Sequence, residues 1–203
     1  LKEILVQLQK VLNPPTLIAV SKTKPLDALQ EAYESGQRVF GENYVQELVE
    51  KVPKMPRDVK WHFIGHLQSN KVSQVAQLIN LDFDICVQTI DSHKLATKLN
   101  NAVKRKVDVM IEVKSSDEES KAGCAVSEVE SLVKEIKKMQ NLNFVGLMTI
   151  GDPNNTEKCF QTMEKLQKQV GGALSMGMSG DWELAVKYGS SFVRIGTAIF
   201  GAR

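Results

Sequence analysis

The most constraining feature of this chain is an alternation. Eight short runs of apolar, β-type residues each give way to a stretch whose apolar residues recur at helical spacing. The runs are LIAV (17–20), VF (39–40), KWHFIG (60–65), FDICVQT (83–89), VDVMIEV (107–113), FVGLMTI (144–150), ALSM (173–176) and FVRIG (192–196). Helices are predicted over 25–35, 44–51, 69–79, 92–104, 127–139, 157–170 and 179–188, with Ser69 as the N-cap of the third. A short apolar turn to Phe200 follows the last run. Strict alternation of this kind requires a parallel sheet, and eight units are the number that closes a (β/α)8 TIM-type barrel. An open doubly wound sheet is the rival, but no G-x-G-x-x-G follows the first strand. The expected class is therefore α/β, a barrel over 17–200 preceded by a helix over 1–12 that Pro14 and Pro15 stop, with 1–203 as a single domain. The join VGGA (170–173) passes so abruptly from helix to strand that an omitted loop is expected nearby.

A formal net charge of +2 supplies no field for nucleic acid or a membrane surface, so any anion site must be local. No stretch approaches the ~18 apolar residues of a membrane span. Cys86, Cys124 and Cys159 are odd in number and widely spaced, which predicts reduced thiols and a cytoplasmic setting. His62, His66 and His93 form no metal motif, and His62 and His66 are expected to be structural. Lys134, Lys137 and Lys138 form a solvated helix face. The chain opens at Leu1, so a few residues or a targeting segment are expected to precede it, which leaves an organellar pool open.

Parallel strands bring their C-terminal ends to one face, where barrel chemistry sits. Those ends carry Lys22, Glu42 and Asn43, Gly65 and His66, Thr89, Lys114, Met148 and Thr149, SMGMS (175–179) and RIGT (194–197). Lys22 ends a strand buried on both faces. An amine partly desolvated there, with Lys24 adding positive charge two residues on, holds its proton less tightly and can attack a carbonyl. In SMGMSGD (175–181) Gly177 allows backbone to approach a ligand and the N–H groups at a helix N-terminus suit a phosphate, with RIGT (194–197) as a second small-residue turn; the alternative is that Ser179 is simply an N-cap and Gly177 a turn former. Arg194 points opposite to Val193 and Ile195; it serves either a buried ion pair or a ring nitrogen that must stay unprotonated. Asn43 either orients a ring hydroxyl or carbonyl or caps the next helix. Met176 and Met178 either pack on a flat ligand or fill the core.

Six blocks in order carry a resemblance: AVSKTKP (19–25), FGENYVQE (40–47), WHFIGHLQ (61–68), GLMTI (146–150), LSMGMS (174–179) and VRIGT (193–197). The chain resembles the pyridoxal phosphate homeostasis protein family, single-domain relatives of the alanine racemase N-terminal barrel. The resemblance implies the type III fold of pyridoxal 5′-phosphate (PLP) proteins and an internal aldimine, or Schiff base, on Lys22. It implies Arg194 near the pyridine nitrogen, and Ser179 with the N–H groups of Gly196 and Thr197 on the phosphate. Met176, Gly177 and Asn43 would line the pocket. One departure stands out at KSSDEESK (114–121), where the family pattern leads one to expect asparagine at 114 and glycine at 117.

Racemisation needs two bases, one for each face of the bound amino acid. The racemases that this chain resembles take the second from a further domain and a partner subunit, for which no residues are expected here after the barrel. Arginine at the ring nitrogen also weakens PLP as an electron sink. The sequence thus points to a monomeric, non-catalytic carrier in vitamin B6 homeostasis that passes PLP to apo-enzymes. A PLP-dependent amino-acid racemase is the alternative. A Schiff-base aldolase acting on a phosphorylated sugar is a third class, which the six blocks disfavour.

Overall fold

The computed structural model describes residues 1–116 and 122–201. After helix α1 (Lys2–Gln9) the chain runs β1 (Thr16–Val20), α2 (Leu26–Glu34), β2 (Val39–Glu42), α3 (Val45–Lys51), β3 (Lys60–Phe63), α4 (Val72–Asn80), β4 (Ile85–Ile90) and α5 (His93–Ala102). It continues through β5 (Val107–Lys114), β6 (Cys124–Ala125), α6 (Val129–Lys138), β7 (Leu142–Met148), α7 (Thr156–Val170), β8 (Ala173–Ser175), α8 (Trp182–Lys187), β9 (Phe192–Ile195) and α9 (Thr197–Phe200). All strand pairs are parallel. The ring β1-β2-β3-β4-β5-β7-β8-β9 closes on itself where β9 returns to β1, with Ile18 opposite Arg194. The expected eight-stranded barrel is the observed one.

Two environments follow from the strand alternation. Outward residues such as Phe40, Trp61, Val87, Val109, Ile111 and Leu147 pack under Leu29, Leu48, Val75, Ile79, Leu99, Ile136 and Phe160 of the helices, forming the main core. Burying each such side chain stabilises the fold by about 1.5–3 kcal/mol. The barrel interior is different. It holds a small apolar cluster of Cys86, Met110 and Met148 together with buried His62, Gln88, Glu112, Ser175 and Arg194.

Local differences from the sequence reading have local causes. Several helices are shorter than their apolar periodicity. Ser69 starts a 3-10 turn (Ser69–Lys71) without capping α4, whereas Ser92 does cap α5, accepting from the Leu95 N–H at 3.3 Å. The short strand β6, just before the helix predicted over 127–139, pairs with the end of β5. At 170–173, near which an omitted loop is expected, the Gly171 N–H donates to Gln167 O at 2.8 Å. Gly171 and Gly172 adopt φ of +79° and +87°, which reverses the chain in two residues. All three cysteines are buried and unpaired, and no helix among the described residues is long and apolar enough to cross a membrane.

Candidate functional site

At the C-terminal ends of the strands lies a cavity of about 370 Å³. Lys22, Asn43, Ser179, Arg194, Gly196 and Thr197 line it, and Val20, Ile64, Ile150, Met178 and Gly180 complete its wall. Six of the eight residues expected from the sequence therefore meet in one place. Its charged lining residues, among those described, are the cations Lys22 and Arg194, which suits an anionic ligand.

The half-buried Lys22 sits between two anchored neighbours. Ser21 donates to Glu42 Oε1 at 2.7 Å, and the Thr23 N–H donates to Glu47 Oε2 at 2.8 Å with Thr23 at φ +61°. Lys51 Nζ ties both carboxylates together and also donates to Ser21 O at 2.8 Å. Sequence reading missed this clamp; the i,i+4 pair Glu47–Lys51 was its one visible trace. Burial is the main influence on Glu42 and pushes its pKa up, opposed by the ammonium of Lys51. Lys24 turns away to Gly201 O at 3.0 Å.

Arg194 is buried, and among the described residues no carboxylate pairs with it. It donates from Nη1 to Ser175 Oγ at 2.9 Å and from Nη2 to Thr149 O at 2.7 Å. Burial lowers its pKa to about 10, which leaves it a cation at neutral pH. Neither capping alternative holds. The residue at the start of α3 is Tyr44, and Asn43 Oδ1 is buried with no hydrogen-bond partner. The cap position of α8 is Asp181, whose carboxylate accepts from the Met178 N–H at 2.6 Å, so Ser179 is left on the cavity wall. At the start of α9 the Ile199 and Phe200 N–H groups reach Gly196 O, while those of Gly196 and Thr197 precede any intrahelical acceptor.

Two expected residues do not line the cavity. Met176 is fully buried in the main core. Gly177, at φ +94°, packs beneath α8, where an added Cβ would lie 2.6 Å from Ala185 Cβ and 3.0 Å from Trp182 Cα. Met178 and Gly180 take their place on the wall. Beside the cavity, Glu112, Lys114, Ser115, Thr149 and Gly151 line a smaller void of about 130 Å³ that shares Ile150 with it. Burial, reinforced by Asp91, pushes Glu112 up to about 7, and its Oε2 has no hydrogen-bond partner. Position 117, where the family pattern departs, lies outside the described residues. His66 is exposed, and Lys134 and Lys138 pair with Glu130 and Glu135 on a solvated face.

Residues 1–203 match the alanine racemase N-terminal domain family. A Schizosaccharomyces pombe protein named pyridoxal phosphate homeostasis protein is 46% identical over 201 residues, taking in 92% of this chain and 84% of that one. The chain belongs to the pyridoxal phosphate homeostasis protein family. The human family member is likewise 46% identical, over 93% of this chain and 77% of its own length. PipY of Synechococcus elongatus, solved with PLP bound, superposes with a TM-score of 0.83 at 34% identity, covering 98% of this chain and 99% of PipY. Alanine racemase from Corynebacterium glutamicum shares the fold alone, at 15% identity and a TM-score of 0.76.

Proposed function

We propose that this chain holds PLP covalently through Lys22 and serves as a carrier in intracellular vitamin B6 homeostasis, without catalytic turnover. The single observation that carries the reading is the shared cavity, in which Lys22, Arg194, Ser179 and the Gly196–Thr197 turn converge. The residues present fit the group. The orphaned Asn43 Oδ1 needs a donor, which the ring hydroxyl would supply, and the cationic wall suits an anionic cofactor. When bound, PLP supplies an aldehyde that links reversibly to primary amines. Lys22 provides the amine, Ser179, Gly196 and Thr197 hold the phosphate, and Arg194 donates to the ring nitrogen. Because arginine keeps its own protons, the ring nitrogen stays unprotonated and the ring is a poor electron sink.

The absence of turnover is supported by the wall itself. Among its described residues, Lys22 is the one side chain suited to accept a proton from carbon, and racemisation needs two such groups. Free, buried cysteines suit a reducing, cytoplasmic compartment. Exposed Ile150 and Met178 at the mouth suit hand-over to PLP-requiring apo-enzymes by a monomeric carrier. Borohydride reduction of the loaded protein followed by peptide mass mapping tests the attachment. A pyridoxyl group on Lys22, lost in Lys22→Ala, is expected, and labelling elsewhere overturns it. Incubation with L-alanine while optical rotation is followed tests the carrier reading, which racemisation faster than ~1 s⁻¹ overturns.

A further inference from the structure

Behind Arg194 a line of buried hydrogen bonds crosses the barrel interior. Arg194 Nη1 donates to Ser175 Oγ at 2.9 Å, Ser175 Oγ donates to Gln88 Oε1 at 2.7 Å, and Gln88 Nε2 lies 2.6 Å from His62 Nδ1. These side chains come from β9, β8, β4 and β3, and none is more than 7% exposed.

The chemistry of the two ends gives the line one direction. A guanidinium has donors and no acceptor, so Ser175 must accept from Arg194 and turn its own hydrogen elsewhere. The nearest other acceptor is Gln88 Oε1, which fixes the amide and turns its NH₂ toward His62. His62 Nδ1 must then carry a lone pair, so the ring is the neutral Nε2–H tautomer. Burial supports that state, lowering the His62 pKa to about 4. His62 also lines a separate cavity of about 560 Å³ at the N-terminal ends of the strands, so the line runs from one mouth of the barrel to the other.

We propose that Gln88 and His62 are positioning residues for Arg194: through Ser175 they fix the guanidinium in the orientation that the cofactor's ring nitrogen meets. The guanidinium is held on two sides, by Ser175 and by Thr149 O, and its remaining donors are left for the cavity that it lines. Without Gln88 the Ser175 hydroxyl is free to rotate and compete with the ligand for Arg194. With His62 replaced by an apolar residue, the Gln88 amide loses the partner that sets which way round it sits. The consequence for the ring rests on the reading of Arg194 given above; the consequence for the guanidinium does not.

The experiment has two arms for that reason. In cofactor-free protein labelled with ¹⁵N-arginine, rotation of the Arg194 guanidinium is expected to be slow in the unaltered chain and in His62→Asn. An asparagine amide can present an acceptor near the place of Nδ1. Faster rotation is expected in Gln88→Met and His62→Leu. In PLP-loaded protein, the ratio of long- to short-wavelength absorption of the bound cofactor is expected to change in Gln88→Met and His62→Leu and to be restored in His62→Asn. PLP retention should weaken by about three- to tenfold in the first two, the scale of one buried hydrogen bond. Equal rotation in all four proteins overturns the positioning role, and so does an unchanged spectrum in proteins that load normally. If none of them loads at Lys22 while the rotation pattern holds, the positioning role stands and the cofactor reading fails. Should both apolar variants fail to fold, ¹⁵N-histidine spectra of the unaltered chain decide: a protonated His62 Nδ1 overturns the proposal, and a lone pair there supports it.

Discussion

Lys51 Nζ lies 2.8 Å from Glu42 Oε1, and both side chains are buried beneath the turn that carries Lys22. Removing one member of such a pair leaves the other charge without compensation, a loss on the scale of about 3–5 kcal/mol. Lys51→Met is therefore expected to lower the urea midpoint sharply and to reduce PLP loading at Lys22. Lys51→Met combined with Glu42→Leu should recover much of the stability, because only the partly exposed Glu47 carboxylate is then left without the ammonium. A double variant no more stable than the single one would show that the clamp acts by shape and not by charge.

Glu112 gives the protein a pH-dependent stability of definite sign. Its pKa in the folded chain is raised to about 7, by burial first and Asp91 second, with Arg194 opposing. A raised carboxyl contributes stability that is fully present below its ordinary pKa and is lost as pH rises through about 7. Cofactor-free wild-type protein should thus lose stability relative to Glu112→Gln between about pH 4.5 and 8, by at most about 3 kcal/mol. Urea unfolding of both proteins at the two ends of that range measures the difference, and parallel pH profiles would contradict it.

The orphaned oxygen of Asn43 predicts opposite effects on the two states of the protein. Asn43→Ala removes a buried acceptor that has no partner, so the thermal midpoint of cofactor-free protein should hold or rise slightly. On the proposed role of Asn43, PLP retention should fall by about three- to tenfold, because the bound ring hydroxyl would lose its acceptor. Equilibrium dialysis and a thermal melt on the same preparation check both halves.

Gly177→Ala should be costly although its position lies off the cavity. The backbone is at φ +94°, and the new methyl would meet Ala185 and the Trp182 backbone. A loss of about 1–3 kcal/mol is expected, together with a shift of Ser179 and Gly180 that weakens phosphate binding. Competition by inorganic phosphate against PLP in this variant reads the second effect.

How much was legible in the sequence depended on which side of a strand a residue faces. Outward side chains pack under helices, so runs such as LIAV and VDVMIEV announced the barrel. Lys22, Arg194 and the last two loops could be read because strand ends must gather at one mouth. Inward polar residues could not. In a strand buried on both faces, Gln88 and Glu112 simply interrupt an apolar run, and nothing in the run says that the interior is where hydrogen bonds are needed. Glu42, Glu47 and Lys51 meet only through a strand–helix contact, which local spacing half shows. The resemblance implies Met176 and Gly177 on the pocket wall, whereas their loop turns inward under α8 before Ser179 emerges.

The seam between β1 and β9 has a consequence for biogenesis. Residues 16–19 wait for residues 192–195 before they acquire that neighbour, so Lys22 is synthesised well before Arg194. A ribosome-bound nascent chain halted before the final strand owns the nucleophile but not the seat around it. On the proposed role of Lys22, vitamer capture can then begin only once β9 has been made, and a product truncated before β9 would leave the reactive aldehyde untouched.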